Sequence, residues 1–225
     1  MTAPARGLRP DHPARRAYRD RAVSDAYARE RFASGSGPAT DRREREVLTA
    51  LLDRTGLPAG ARVLDCPAGA GRLSSLLAAR GWTVAAADQS AAMLAHAGAA
   101  LAAAGAPRTL VAADALALPF RPGAFDLVLC HRLLHHLERE EDRRALLASL
   151  AAASRRWVVV SWFDSVSLQH LRRAARRAFR QSLRHAVSRA AFRRAAAAAG
   201  LRPVEDRAVR RFVSEATLSL LEVAR

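Results

Sequence analysis

The sequence predicts an α/β domain built on a doubly wound, mostly parallel sheet. Three observations carry that expectation. From residue 60 onward, short apolar or β-branched runs alternate with helical stretches rich in Ala, Leu and Arg, the pattern of strands joined by crossover helices. The first three runs stop at Asp65, Asp88 and Asp114, and carboxylates placed so regularly are costly unless something solvates or pairs them. The first run, VLD, breaks at once into CPAGAGRLS. That is a Pro/Gly turn where open parallel sheets bind ligands, beyond the carboxyl ends of their strands.

Taken in order, residues 1–20 are rich in Arg, Pro and Ala without apolar periodicity and read as a flexible basic tail. SDAYARERFASGSGPAT reads as helical, with Tyr27 and Phe32 near one face, up to a Ser/Gly/Pro break at Ser34 to Pro38. Asp41 then precedes RREREVLTALLDR, a helix ending near Gly56 and Pro58. Strands are expected in ARVLD, WTVAAAD, TLVAAD, FDLVLC and WVVVSWF, and helices near 72–80, 91–104, 141–153 and 166–180.

A chain of 225 residues and 24.3 kDa is most economically one domain. No apolar run reaches bilayer-spanning length, and the opening MTAPARGLRPDHPARR has no apolar core of the secretory kind. A cytoplasmic protein is therefore expected. Cys66 and Cys130 fit neither a metal spacing nor a disulfide framework, so buried, reduced thiols and no metal are expected. The formal charge is +16, yet lysine, asparagine and isoleucine are absent and the cations are arginines. That bias points to a GC-rich coding genome, so the charge alone does not argue for a polyanionic partner.

The turn itself discriminates between ligands. A dinucleotide fingerprint needs a third glycine and little charge near the pyrophosphate, whereas this chain has Gly69 and Gly71, then Ser74, with Asp65 beside the turn. A carboxylate there suits a ligand with a cationic end, an ammonium or a sulfonium, while Asp88 can accept hydrogen bonds from a ribose diol.

These residues resemble the class I S-adenosylmethionine-dependent methyltransferases. VLDCPAGAGRLS resembles the family's first motif, AAADQSAAML the acidic loop after its second strand, AADALALPF its adenine-side motif and FDLVLCHRLLHHL its fourth-strand motif, in family order. The resemblance is clear over about residues 60 to 165. It implies a Rossmann-like, seven-stranded sheet over residues 59–225, closed by an antiparallel strand from the run RPVEDRAVRRFVSEATLSLLEVAR. Residues 21–58 would form an N-terminal helical lid, with Tyr27 to Phe32 over the site.

It implies S-adenosyl-L-methionine as cofactor, held as follows. Asp65 would orient the methionine ammonium, and Gly69 and Gly71 would admit the backbone to the methionine and ribose. Asp88 would hold the ribose hydroxyls, Gln89 and Met93 would flank the adenine, and Asp114 with the Ala115 N–H would read the adenine edge. Cys130 and His131 would close strand four against the ammonium. Pro67 stands at the family's first glycine; it fixes φ and removes one N–H, and is expected to stiffen the turn without abolishing binding. For Asp114, a helix N-cap is the competing reading.

Methyl transfer is an in-line displacement governed by positioning, with a general base needed only where the acceptor must lose a proton. His131 and His135 are the candidate bases, on one face of a short helix at i, i+4 spacing opposite Leu133, Leu134 and Leu137; a capping or packing role competes with this. The acceptor side falls in residues 166–198, where Arg172, Arg173, Arg176, Arg177, Arg180 and Arg184 recur at helical intervals. A solvated face, an anionic acceptor, an acidic membrane surface and RNA all fit such a pattern. The fourth strand lacks the Asn/Asp-Pro-Pro-aromatic signature of base methylation, and no aromatic RNA-binding module is appended. A small-molecule or lipid-linked acceptor methylated on O, N or C therefore leads. An RNA methyltransferase and a cofactor-binding protein without turnover stand as alternatives.

Overall fold

The structure, a computed structural model, describes residues 37–166, 185–210 and 216–224. Its elements are α1 (Gly37–Asp53), β1 (Arg62–Asp65), α2 (Arg72–Ala78), β2 (Thr83–Asp88), α3 (Ala91–Ala103), β3 (Thr109–Ala112), β4 (Phe125–Cys130), a 3-10 turn (Leu134–His136), α4 (Glu140–Ala153), β5 (Ser154–Phe163), α5 (Arg189–Ala198), β6 (Leu201–Ala208) and β7 (Ala216–Val223). The strands form one seven-stranded sheet in the order β3-β2-β1-β4-β5-β7-β6. β1 pairs in parallel with both β2 and β4, and β7 runs antiparallel to both β5 and β6. Strand order therefore reverses between β1 and β4, which puts the switch point at the β1 turn.

The strands are apolar on successive residues because both faces are covered. Neighbours alternate between the two cores. Leu64, Val128, Val158 and Val160 pack with Leu146, Leu147 and Leu150 of α4 and Phe192 of α5. Val63, Leu127, Leu129 and Val159 pack with α1, α2 and α3 through Leu48, Leu51, Leu52, Leu77 and Leu101. Trp162 anchors the first core, stacked on Phe192 at 4.5 Å, with its indole N–H donated to Ser219 Oγ at 2.8 Å. No helix among the described residues is long and apolar enough to cross a membrane.

Several expectations shift in detail. α1 begins at Gly37 and runs through Pro38, where a break was expected; proline is accommodated in a first helical turn because its missing N–H has no intrahelical partner there. Asp41 consequently lies inside α1, paired with Arg45 at i, i+4. β3 stops at Ala112, two residues short of Asp114, and β5 begins at Ser154 rather than Trp157. The short helix expected around Leu133 to Leu137 is a single 3-10 turn. The lid residues Tyr27 to Phe32, the helix expected over 166–180 beyond its first residue and the arginines from Arg172 to Arg184 lie outside the described residues.

Candidate functional site

The crevice is built on the turn that joins β1 to α2. The N–H of Cys66 bonds to Leu129 O and that of Ala68 to Ala87 O, both at 2.9 Å, so the turn is tied to β4 on one side and β2 on the other. Pro67 lies between them after a cis peptide bond, and its missing N–H costs the turn neither tie. Gly69 has φ +52°, with nothing within 4 Å of the position a Cβ would take, and donates its N–H to Asp88 Oδ2 at 2.9 Å. Gly71, at φ +80°, is the residue that precedes α2. A Cβ there would stand 2.6 Å from Ala97 Cα in α3. Gly69 therefore opens the crevice, whereas Gly71 allows two helices to approach.

Asp65 ends β1 at 1% exposure, accepting the Ser74 hydroxyl at 2.6 Å. Ser74, at the position of a third glycine, is thus the polar partner of the buried acid. Burial raises the Asp65 carboxyl to about 7, against the Ser74 hydrogen bond and the nearby Arg72 charge. Asp88 ends β2 and accepts N–H groups from Gly69 and Ser90 at 2.9 Å each; burial raises it, and these backbone bonds oppose the rise. The Gln89 side-chain carbonyl beside it is buried and has no hydrogen-bond partner among the described residues. Met93 is buried in the first turn of α3, capped by Ser90 Oγ.

Asp114 is half-buried and accepts the Leu116 N–H at 3.0 Å, while its backbone carbonyl accepts the Ala117 N–H. This is an Asx turn that leads into no helix, which removes the helix-cap reading. Ala115 is buried next to it. On the other side of β1, Cys130 ends β4, one step past the paired Asp65 and Leu129, and so stands beside Cys66. Both thiols are buried and pushed up by that burial.

The histidines differ from the sequence expectation. Burial pushes His131 down to about 3, although Glu44 pulls the other way, so it is neutral and weakly basic near pH 7. His135 does not share an open face with it. At 3% exposure it stacks on Phe163, ring centroids 4.0 Å apart, with His136 tilted against it at 4.3 Å.

Sequence reasoning missed Glu44, Arg72, Arg132 and Ser161. Glu44, on α1 and 2% exposed, accepts from Arg72 Nη2 at 2.9 Å and from Arg132 Nη2 at 2.7 Å and Nε at 3.2 Å, with His131 Nε2 at 3.8 Å. Arg72 also pairs with Asp41. Arg132 has φ +62°, the positive-φ non-glycine among the described residues, and donates its backbone N–H to Ser161 Oγ at 2.6 Å. One signal was available. Glu44, Val47, Leu48 and Leu51 follow i, i+3, i+4, i+7 spacing, so the acid occupies the buried stripe of its helix.

Comparison with known proteins agrees with this geometry. The family model described as a methyltransferase domain matches residues 63–157, from β1 into β5. No curated protein matches the chain. Among solved structures, the chain is similar to magnesium protoporphyrin IX methyltransferase from Synechocystis PCC 6803 with SAH bound, at TM-score 0.74 and 19% identity, covering 90% of this chain and 99% of that one. It is similar to an S-adenosylmethionine-dependent methyltransferase from Clostridium acetobutylicum ATCC 824, at TM-score 0.67 and 12% identity, covering 89% and 97%. The cyclase SpnF shares the fold too, at TM-score 0.64 and 12% identity, covering 87% and 85%. Residues 63–157 thus carry a methyltransferase domain, on a seven-stranded sheet whose fold is that of the solved S-adenosylmethionine-dependent methyltransferases.

Proposed function

We propose that the protein transfers the methyl group of S-adenosylmethionine to a small-molecule or lipid-linked acceptor. The observation that carries this reading is the Gly69 N–H to Asp88 bond, which fixes the β1 turn and the β2 acid as the two walls of one crevice. The residues fit the cofactor: the space beside Gly69 is open, and the buried Gln89 carbonyl lacks a partner that an adenine amino group can supply. The cofactor, when bound, supplies a methyl group on a sulfonium.

In this reading Asp65 and the backbone at Cys130 and His131 receive the methionine ammonium, and Asp88 holds the ribose hydroxyls. Gln89, Met93, Asp114 and Ala115 form the adenine side. Pro67 stiffens the turn and Gly71 serves it through helix packing. His131 is too weak a base at neutral pH to be assigned proton removal, and His135 contributes packing against Phe163. Rate then comes from positioning the acceptor and the methyl group.

The test is calorimetric titration with S-adenosylhomocysteine. Wild type should bind, and Asp88→Ala should bind at least about 30-fold more weakly with its circular dichroism unchanged. Equal affinity in a folded Asp88→Ala would refute the site assignment. Release of S-adenosylhomocysteine with an acceptor present then separates an enzyme from a cofactor-binding protein without turnover or a cyclase on the same fold.

A further inference from the structure

We propose that Glu44 is a positioning residue for the methionine end of the cofactor, acting through Arg72 and Arg132. The proposal rests on the cofactor reading above and adds to it a role for α1, which lies outside all four sequence motifs.

Topology places the network. Strand order reverses between β1 and β4, and in the cofactor reading above the methionine end lies there and the adenine end over β2 and β3. Arg72 is the first residue of α2, directly after the glycine turn, and Arg132 is the second residue beyond β4. These are the two segments that flank Asp65. Their guanidinium groups come from the chain that follows β1 and the chain that follows β4 and meet on a single carboxylate, Arg72 on Oε2 and Arg132 on Oε1. Glu44 thereby ties the start of α2 to the chain after β4, and neither strand pairing nor the glycine turn makes that connection.

Two further features mark the arrangement as more than a surface ion pair. Glu44 is 2% exposed, and a buried carboxylate is retained only when charge and hydrogen bonds compensate its lost hydration. Burial works to raise its pKa, and the surrounding cationic groups outweigh that and hold it below the ordinary range. Arg132, for its part, occupies left-handed backbone space at φ +62°, where a non-glycine residue persists only when its surroundings fix it. Ser161 fixes its backbone N–H and Glu44 its guanidinium. That double restraint acts on the residue directly after His131, where the chain leaves β4. Asp41 and Arg45 complete the charge cluster on the α1 side.

The test compares two ligands on wild type, Glu44→Gln and Arg132→Gly: S-adenosylhomocysteine, which carries the amino-acid end, and 5′-methylthioadenosine, which lacks it. Glu44→Gln should weaken S-adenosylhomocysteine by about tenfold or more and change methylthioadenosine by less than about twofold. Arg132→Gly, whose backbone tolerates the positive φ, should show the same split, and it decides the matter if Glu44→Gln does not fold. A purely structural role would lower the melting temperature and leave both affinities of the folded protein unchanged, which overturns the proposal. Equal weakening of both ligands overturns it as well. Wild type that binds neither ligand would refute the cofactor reading itself, and the proposal with it.

Discussion

Gly71 and Ala97 approach so closely that a methyl group on Gly71 would stand 2.6 Å from the Ala97 α carbon and 2.9 Å from the Ala100 side chain. The neighbour is helix backbone and cannot swing aside. Gly71→Ala therefore combines overpacking with a positive φ, and should cost about 2–4 kcal/mol in urea unfolding. Gly69→Ala meets open space and should cost only about 1 kcal/mol for its φ, while weakening S-adenosylhomocysteine. If the two variants lost stability equally, the division of labour between the glycines would be wrong.

The Ser74 hydroxyl is the side-chain donor to Asp65. Ser74→Ala leaves a buried carboxylate short of its hydrogen bond, a loss of about 1–3 kcal/mol where that group is ionised. The deficit should be greater at pH 8 than at pH 5, because protonation removes the charge that the hydroxyl stabilises. Paired urea titrations at the two pH values check this, and a pH-independent deficit would show that the bond acts on a neutral acid throughout.

Much of the sheet was legible because strands buried on both faces read as continuous apolar runs between turns: ARVLD, WTVAAAD and FDLVLC became β1, β2 and β4 with at most a residue's change at their starts. The turn chemistry was legible for the same local reason. What escaped is what depends on tertiary contact. Gly69 and Gly71 look alike in sequence, and only the position of α3 separates a glycine beside open space from one that helix packing requires. His131 and His135 stand four apart, but the chain between them makes a single 3-10 turn, so helical spacing assigned them a shared face they do not have. Glu44 pairs with Arg132, 88 residues away, and no local pattern names that partner.

The burial of His131 has its own consequence. Its pKa is lowered from 6.5 to about 3, so the folded state binds fewer protons than the unfolded state between those values. Its contribution to stability is complete above about pH 6.5 and is lost as pH falls toward 3. The imidazole resonances of His131 should therefore not titrate between pH 8 and 5 in proton NMR. A midpoint near 6.5 would mean a solvated ring, and would restore it as a base at neutral pH.

Asp65 has the opposite sign to an ordinary ion-paired acid. Its pKa is raised from 3.8 to about 7, so between those values the folded state holds a proton that the unfolded state has released. Folding is then favoured at the acid end of that window and loses stability as pH climbs through it, by an amount on the order of a few kcal/mol. Asp65→Asn cannot ionise and should flatten this part of the stability profile. Ligand binding should run the other way. An ammonium placed against Asp65 favours the ionised carboxylate, so S-adenosylhomocysteine should bind more tightly as pH rises toward 7 and release a proton below that point, seen as a buffer-dependent calorimetric enthalpy. In Asp65→Asn both the pH dependence and the proton release attributable to this site should vanish. If the variant kept them, the ammonium would lie elsewhere in the crevice, and the acid at the end of β1 would serve only to hold Ser74 and the start of α2.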